Sequence, residues 1–427
     1  MHAGGVALLA LLRRNPDFRR LFLAAVVSLS GDWFAFVAVS GLVNELTGNL
    51  GAAAVVYAAS MLPVFLASPL AGVIADRIDR KRMMVAVDLG RVVPALGMLV
   101  AAKRGSAGLA ILCVVAIAVM SAFFEPASSA ALPNLVDIED LSLGQIAMGS
   151  IWGTMLFVGA GVGGLVSQLL GRQATFAINA ATFIVSGLLV LRIRGPLRAG
   201  PVSAPATVLT HLGEIWSFVA PRKVSRALLF TKTGVGLGNG IVGLLPAFAA
   251  SRLGSGDASI GLLLAARGFG ALVGPFVGRA LGRDDGRRIV LICGASICAY
   301  GVAYTFLPLA RSLGGAVLCV ALAHAGGGTQ WALSTYGLQR TTPDAVRGRV
   351  MSLDYGLATL AMGSSALLAG GAVGLLGLQA TSWALVGVTL GYGGSWLVWT
   401  RDLWRAAIDP FATSDEPPSV DPVYPAR

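Results

Sequence analysis

The chain has 427 residues, of which 56% are hydrophobic and only 12% are charged. Soluble globular domains carry about 25% charged residues, so this composition excludes a soluble protein and predicts one that lies mostly in lipid. The net charge of +11 does not require a nucleic-acid partner, because most of the 32 Lys and Arg residues fall in polar segments on one side of the predicted membrane.

The predicted elements are apolar runs of about 20 residues, the length at which a helix crosses a ~30 Å hydrocarbon core. We predict an all-α polytopic membrane protein with twelve transmembrane helices, both of whose termini are cytoplasmic. In chain order, the predicted spans are 19–43, 51–75, 83–102, 108–131, 142–170, 173–191, 226–250, 258–280, 289–309, 312–337, 347–373 and 378–399.

The longest polar interval divides these spans into two sets of six. A cytoplasmic or interfacial segment at 1–18 precedes the N-terminal six-helix half at 19–191. A central cytoplasmic linker at 192–225 leads to the C-terminal six-helix half at 226–400. The Pro-rich composition predicts that the cytoplasmic tail at 401–427 is disordered.

A weak internal repeat relates the two halves. After the second span of each half comes a segment that begins with Gly and has Arg at its sixth position, Asp at its eighth and basic residues at its last two; it reads GVIADRIDRKR from Gly72 and GRALGRDDGRR from Gly278. Two six-span halves related by an axis along the membrane normal form a transporter architecture, whose substrate site lies between the halves near mid-membrane.

The first of these segments resembles the G-x-L-A-D-R-x-G-R-(K/R)-x signature of the major facilitator superfamily. Asp79 replaces a Gly of that signature, as is usual in the drug:proton antiporters similar to macrolide-efflux and enterobactin-export proteins. The segments FFEPA from Phe123, LPNLV from Leu132 and PDAVRGRV from Pro343 are also similar to that branch. Two features depart from the pattern of exporters: Ala160 stands where many carry a Pro, and span 4 lacks a membrane-embedded Arg.

The resemblance implies a conformational latch at the cytoplasmic ends of the spans. Its residues are Gly72, Asp76, Arg77, Arg80 and Lys81. Gly72 would let span 2 approach span 11 closely, and Asp76 would face the free N–H groups at the start of span 11. The basic residues lie opposite the acidic loop at 137–140, and these contacts would close the cytoplasmic side. The alternative is that the charges only set the topology.

Ionisable side chains inside the spans mark proton or substrate pathways, because they are costly to bury in lipid. Asp32 lies ~20 Å into span 1, near mid-membrane, at about 1.5 Å per residue. Because burial disfavours the charged form of a carboxylate, Asp32 is the first candidate for a proton carrier. Glu125, in the cytoplasmic third of span 4, is the second. The alternatives are that Asp32 is a permanently paired structural charge and that Glu125 is merely solvated.

An amphipathic substrate cavity requires aromatic surface and a few polar groups. The candidate residues are Trp33, Phe36, Phe124, Asn239, Arg267, His324, Gln330 and Trp331. Arg267 either neutralises Asp32 or Glu125 or binds an anionic substrate group, and ordinary packing is the alternative for each residue. Asp88 and Arg91, three residues apart on span 3, are expected to pair with each other.

These features predict a secondary active transporter, most directly a proton-coupled exporter of drugs, natural products or siderophores that works by alternating access. The alternative on the same fold is an importer or flippase of a lipid or anionic metabolite. The sequence contains no phosphate-binding glycine loop and no metal-ligand or nucleophile–base motif, so we predict no enzyme activity and no cofactor. The expected partners are a small-molecule substrate, protons and the bilayer of the inner or plasma membrane, and the protein is expected to be monomeric.

Overall fold

The computed structural model describes residues 2–195, 197, 208–252 and 256–411. The described residues are almost entirely helical. The helices are α1 (His2–Arg14), α2 (Pro16–Thr47), α3 (Ala52–Arg77), α4 (Arg80–Arg104), α5 (Ala107–Ala131), α6 (Ile138–Leu170), α7 (Arg172–Leu191), α8 (Val208–Val219), α9 (Lys223–Gly238), α10 (Gly240–Arg252), α11 (Asp257–Gly282), α12 (Gly286–Thr305), α13 (Leu313–Thr341), α14 (Asp344–Trp399) and α15 (Arg401–Trp404).

Side-chain caps begin several of the helices, and one pair of caps matches the internal repeat. Asp79 caps α4 by accepting the backbone N–H of Arg82 at 2.9 Å. Asp285, at the same position of the second repeat, caps α12 by accepting the N–H groups of Arg287 and Arg288. A carboxylate satisfies backbone donors that a helix start leaves free. The repeat therefore encodes the same helix start twice, which gives Asp79 a structural role.

Ten helical segments are long and apolar enough to cross a membrane within the described ranges. One of them, Val346–Trp399, has 54 residues and is long enough for two crossings. Gly377 interrupts it with a backbone φ of 79°, which favours glycine. This interruption lies between predicted spans 11 and 12. The helical membrane fold is confirmed, whereas the count of twelve spans stays a prediction.

The helices pack in two sets, named here the N-terminal set (α2–α7) and the C-terminal set (α9–α14). In the first, α2 packs on α6 and α7, and α4 packs on α5 and α7. In the second, α11 and α12 pack on α13, and α9 packs on α14. The sets meet where α6 contacts α11 and where α3 contacts α14. The residue boundaries of the two halves stay a prediction.

The two ends of the bundle differ in how closely the sets approach each other. We name the end that carries α1, α8 and α15 the linker side, and the opposite end the far side. On the far side, a Cβ added to Gly164 of α6 would lie 2.7 Å from the α11 backbone. Nearer the linker side, a Cβ at Gly153 would lie 3.0 Å from an α11 side chain, and one at Gly149 would meet nothing within 4 Å. Helices α6 and α11 therefore diverge towards the linker side.

The α3–α14 contact loosens in the same direction. A Cβ at Gly370 would lie 2.9 Å from the α3-side backbone, and one at Gly363 would lie 2.6 Å from an α3 side chain. At Gly356, nearest the linker side, the corresponding distance is 3.4 Å, which is close to an ordinary contact. The two sets therefore pack most closely on the far side, and the space between them towards the linker side is named here the cleft.

The first part of the C-terminal tail is ordered, whereas the sequence suggested disorder from residue 401. Asp409 accepts a hydrogen bond from the backbone N–H of Gly286 at 3.1 Å. The ring of Phe411 is buried near Gly286 and Gly337. Residues 401–411 therefore pack on the linker side of the C-terminal set, and residues 412–427 lie outside the described residues.

Candidate functional site

Asp32 lies near the middle of α2, where close contacts hold the helix on two sides. Gly31 packs against α7, because a Cβ there would collide with Thr182. A Cβ at Gly159 of α6 would lie 3.3 Å from the Cβ of Trp33. Asp32 itself is half-buried, and its carboxylate has no hydrogen bond or ion pair among the described residues. This arrangement does not support a permanently paired structural charge.

A buried ion pair lies beside Asp32. Arg91 donates from Nη1 to Asp88 Oδ1 at 3.3 Å and to the Ser28 hydroxyl at 3.2 Å. Ser186 donates to the other oxygen of Asp88 at 2.6 Å. The pairing of Asp88 with Arg91 that the spacing predicts is therefore confirmed. The charge of Arg91 also acts on Asp32, so this carboxylate has a cation nearby but no direct partner.

Glu125 lies in the linker-side part of α5 and is exposed. Its carboxylate interacts electrostatically with the phenol of Tyr355, which belongs to α14 on the opposite wall of the cleft. Trp331 of α13 packs edge-on against Tyr355, with ring centroids 6.4 Å apart. Glu125 forms no hydrogen bond or ion pair in the described part of the chain. These three side chains line the open part of the cleft.

Aromatic rings separate Asp32 from the far side. Trp33 packs edge-on against Phe36 at 5.7 Å and against Trp152 at 6.2 Å between ring centroids. Phe36 in turn packs edge-on against Tyr57 of α3 at 6.1 Å. Trp33 and Tyr57 are buried in this packing and Phe36 is half-buried, so a substrate surface formed by Trp33 and Phe36 stays a prediction.

Arg267 belongs to a hydrogen-bonded network between the two sets. Its side chain is only 3% exposed, donates to the Tyr57 hydroxyl at 3.1 Å, and lies over the rings of Tyr57 and Trp152. The Tyr57 hydroxyl donates to Asn239 at 2.9 Å, and Asn239 donates to the Tyr300 hydroxyl at 3.2 Å. The network ties α3 to the C-terminal set, so it contributes to the closure of the far side.

Arg267 pairs with neither Asp32 nor Glu125 among the described residues, although the sequence left that pairing open. Two of its nitrogens, Nε and Nη1, are buried without a partner in the described part of the chain. Its contacts are aromatic faces and a hydroxyl, and the side chain is closed off from the cleft. Arg267 therefore does not present its charge to a substrate in this conformation.

Three further cavity candidates are buried. His324 lies 3.0 Å from the Tyr304 hydroxyl through Nε2. Gln330 donates to Ser334 on the next turn of α13 at 3.4 Å. Phe124 lies beneath the guanidinium of Arg91, 5.3 Å from it. In this conformation these three residues pack between helices, whereas Trp331 is half-buried at the cleft.

An ion pair on the far side was not foreseen from the sequence. Arg172 at the start of α7 forms two bonds to Asp257 at the start of α11, at 2.8 and 2.9 Å. Ser167 also donates to Asp257, and Arg172 donates to Glu45 at 2.5 Å. Because α7 and α11 belong to different sets, this far-side ion pair joins the sets where the cleft is closed.

A second buried ion pair lies inside the C-terminal set. Lys232 of α9 and Asp354 of α14 form an ion pair, and the side chain of each is 2% exposed. Lys232 also donates to Thr335 at 2.9 Å and lies 4.8 Å from the centre of the Trp331 ring. The opposite charges at similar depth in predicted spans 7 and 11 were a signal for this pair.

The expected latch residues divide into two groups. Gly72, Asp76 and Arg77 lie in α3, but the packing of Gly72 and the side chains of Asp76 and Arg77 are outside the described part of the structure. Arg80 donates to the carbonyls of residues 130 and 197, and Lys81 donates to the carbonyl of residue 193. These contacts stay within the linker side of the N-terminal set. A latch that forms in the other conformation therefore stays a prediction.

Comparison with known proteins places this bundle in a family. The sequence profile of the transmembrane secretion effector family matches residues 7–402. The chain belongs to the transmembrane secretion effector family. Among similar proteins, the multidrug efflux pump Tap of Mycobacterium tuberculosis H37Rv is 30% identical over 87% of this chain and 90% of its own. The pump of the same name from Mycolicibacterium fortuitum is 28% identical over 87% of this chain and 93% of its own.

Solved structures show that this member of the secretion effector family has the major facilitator fold. A POT family transporter in complex with a thioalcohol-conjugated peptide superposes with a TM-score of 0.73 at 11% identity, covering 90% of this chain and 96% of its own. The nucleoside transporter NupG superposes with a TM-score of 0.65 at 14% identity, covering 90% and 99%. Together with the family match over residues 7–402 and the efflux-pump relatives, this fold shows that the chain is a multi-pass membrane transporter of the major facilitator superfamily, as the sequence motifs indicated.

Proposed function

We propose that this transporter exports small amphipathic compounds in exchange for protons, by alternating access. The direction is supported by the multidrug efflux pumps that are 30% identical over 87% of the chain. Proton coupling is supported by one observation above all: Asp32, in the middle of α2, is partly accessible and has no partner among the described residues. A carboxylate of this kind exchanges a proton more readily than one fixed in an ion pair.

The orientation follows from the distribution of charge. The linker side carries most of the Lys and Arg residues, and positively charged loops stay in the cytoplasm. We therefore assign the linker side to the cytoplasm, so that the cleft described above faces inward. Glu125 and Tyr355 line its entrance, and a compound would enter there from the cytoplasm or from the inner leaflet.

The proposed cycle uses the contacts between the two sets. The compound binds against the aromatic walls while Asp32 is ionised, and a cationic or polar group of the compound is attracted to the carboxylates. The far side then opens, which requires the Arg172–Asp257 ion pair and the Tyr57–Asn239 hydrogen bond to separate. A proton from outside replaces the compound at Asp32, and the return to the inward-facing state releases that proton into the cytoplasm.

An anionic substrate held by Arg267 fits this conformation less well. The guanidinium is covered by Tyr57 and Trp152 and is 3% exposed, whereas the ionisable groups that are accessible, Asp32 and Glu125, are acidic. The accessible charge therefore favours neutral or cationic compounds over an anionic metabolite.

Transport in inside-out membrane vesicles tests the proposal. Acidifying the vesicle interior should drive uptake of ethidium or erythromycin, which corresponds to export from the cell, and Asp32→Asn should abolish this uptake. Asp402→Asn is the matched control, because Asp402 forms an exposed ion pair with Lys223 far from the cleft. Undiminished gradient-driven uptake by Asp32→Asn would contradict the proposed coupling.

A further inference from the structure

Arg91 occupies the junction of four helices of the N-terminal set. It belongs to α4, is 3% exposed, and lies 5.3 Å from the rings of both Phe124 on α5 and Phe183 on α7. Its Nη1 donates to Ser28 on α2. Ser28 and Asp32 are one helical turn apart on the same face of α2, so Arg91 lies on the Asp32 side of that helix, and its charge acts on both Asp32 and Glu125.

The ion pair with Asp88 leaves much of the guanidinium unused. Both hydrogen bonds of Arg91 come from Nη1, and at 3.2 and 3.3 Å they are at or beyond the long end of the usual range. Its Nε is buried without a partner in the described residues. Asp88, in contrast, also accepts a bond of 2.6 Å from Ser186. The guanidinium therefore has donors left for a further partner.

We propose that Arg91 is a positioning residue for proton coupling: it is the counter-charge that Asp32 and Glu125 share. Its positive charge favours the ionised form of each carboxylate, so that neither keeps its proton permanently in the apolar interior. When one carboxylate is protonated, Arg91 is free to interact more closely with the other. This inference rests on the proposed proton-coupled export and adds the residue that shifts the proton affinity of the two carboxylates.

The charged groups around Arg91 are few. Asp88 faces it from α4 itself, Asp32 from α2 and Glu125 from α5. The neighbouring α7 contributes Ser186 and Phe183, which do not titrate. Arg91 and Asp88 carry opposite charges, and both act on Asp32. The two residues should therefore shift proton binding by Asp32 in opposite directions.

The test measures protonation directly, apart from transport. Infrared difference spectra of the purified protein in lipid, recorded between pH steps, follow the carboxylic-acid C=O band. Asp32→Asn and Glu125→Gln assign the two contributions. In Arg91→Gln, the protonation midpoints of both carboxylates should move to more alkaline pH, by about one unit for the loss of a nearby opposite charge. In Asp88→Asn, the midpoint of Asp32 should move to more acidic pH.

Two controls keep the outcome decisive. Arg91→Lys keeps the charge, so its midpoints should stay closer to wild type than those of Arg91→Gln. If Arg91→Gln fails to fold because Asp88 is left unpaired, the neutral pair Arg91→Gln/Asp88→Asn leaves no unpaired charge at these two positions. Its Asp32 midpoint should lie at more alkaline pH than that of Asp88→Asn, because the two variants differ only in the charge of Arg91. A purely structural role would lower stability or transport at every pH without moving any midpoint.

The failures of the two proposals are distinguishable. The role of Arg91 alone would be overturned if Asp32 titrates in the wild type with the same midpoint as in a folded Arg91→Gln variant, or if the neutral pair has the same Asp32 midpoint as Asp88→Asn. Absence of any titration of Asp32 in the wild type would contradict the proposed proton coupling itself.

Discussion

The far-side ion pair between Arg172 and Asp257 stabilises the closed far side, so its removal should make outward opening easier. In Arg172→Gln, Asp257 loses two hydrogen bonds to a cation and keeps only its bond from Ser167. Removing one partner of a buried pair costs about 3–5 kcal/mol. Because the side chain of Arg172 is 22% exposed and that of Asp257 is 5% exposed, we take the lower value, about 3 kcal/mol. This loss destabilises the inward-open conformation, in which the far side is closed. It should therefore raise the ratio of outward-open to inward-open molecules about a hundredfold.

Distances between spin labels on the far side measure this ratio. Leu46 at the end of α2 and Arg311 before α13 are exposed and belong to different sets. Labels on cysteines at these two positions, in a background without Cys113, Cys293, Cys298 and Cys319, should move apart when the far side opens. Arg172→Gln should increase the population at the longer distance, and Arg172→Lys should increase it less.

The matched control is Lys223→Gln, which removes the exposed ion pair with Asp402 on the linker side. Exposed pairs contribute about 0–1 kcal/mol, so the distance distribution should be that of the wild type. An Arg172→Gln distribution that coincides with the wild type would refute the role assigned to the far-side ion pair.

Three further predictions concern stability and closure. Lys232→Met should lower the melting temperature of the purified protein strongly, because Asp354 is left as an unpaired buried charge. A further Asp354→Leu change should restore much of the lost melting temperature, and equal melting temperatures of the single and double variants would contradict this account. Asp79→Ala and Asp285→Ala should each lower the free energy of unfolding by about 1 kcal/mol, because each removes a helix cap. If only one of the two variants lowers the melting temperature in a thermal-shift assay, the two residues do not have equivalent roles in the repeat. Tyr57→Phe removes two hydrogen bonds between the sets, one to Asn239 and one from Arg267, worth about 1 kcal/mol each. The far-side labels should therefore separate about thirtyfold more often than in wild type, and unchanged label distances would count against the network.

The sequence was sufficient for features that depend on local pattern. The length and apolarity of the runs predicted the membrane helices, and the three-residue spacing of Asp88 and Arg91 predicted their ion pair. The unusual Asp79 was visible as a departure from the family signature, and the structure adds that it caps α4. In each case the physical cause lies within a few residues along the chain.

Features that depend on the packing of distant helices could not be read from the sequence. Arg172 and Asp257 are 85 residues apart and lie in turns that read as ordinary exterior loops. Arg267 was a candidate partner for the acidic groups of the cavity, but the contact between α3 and the C-terminal set gives it Tyr57 instead. The sequence also gave no sign that Arg91 approaches both Ser28 and Phe124, because that requires α2, α4 and α5 to converge.

Counting protons against exported compound tests the central claim most directly. The protein is reconstituted in liposomes that contain a pH-sensitive dye, and ethidium or erythromycin is added on the side of the linker. The account predicts proton movement opposite to the compound in wild type and in Asp402→Asn, and loss of both movements in Asp32→Asn. Compound movement that continues in wild type without any change of internal pH, or proton exchange that persists in Asp32→Asn, would contradict proton-coupled export through Asp32.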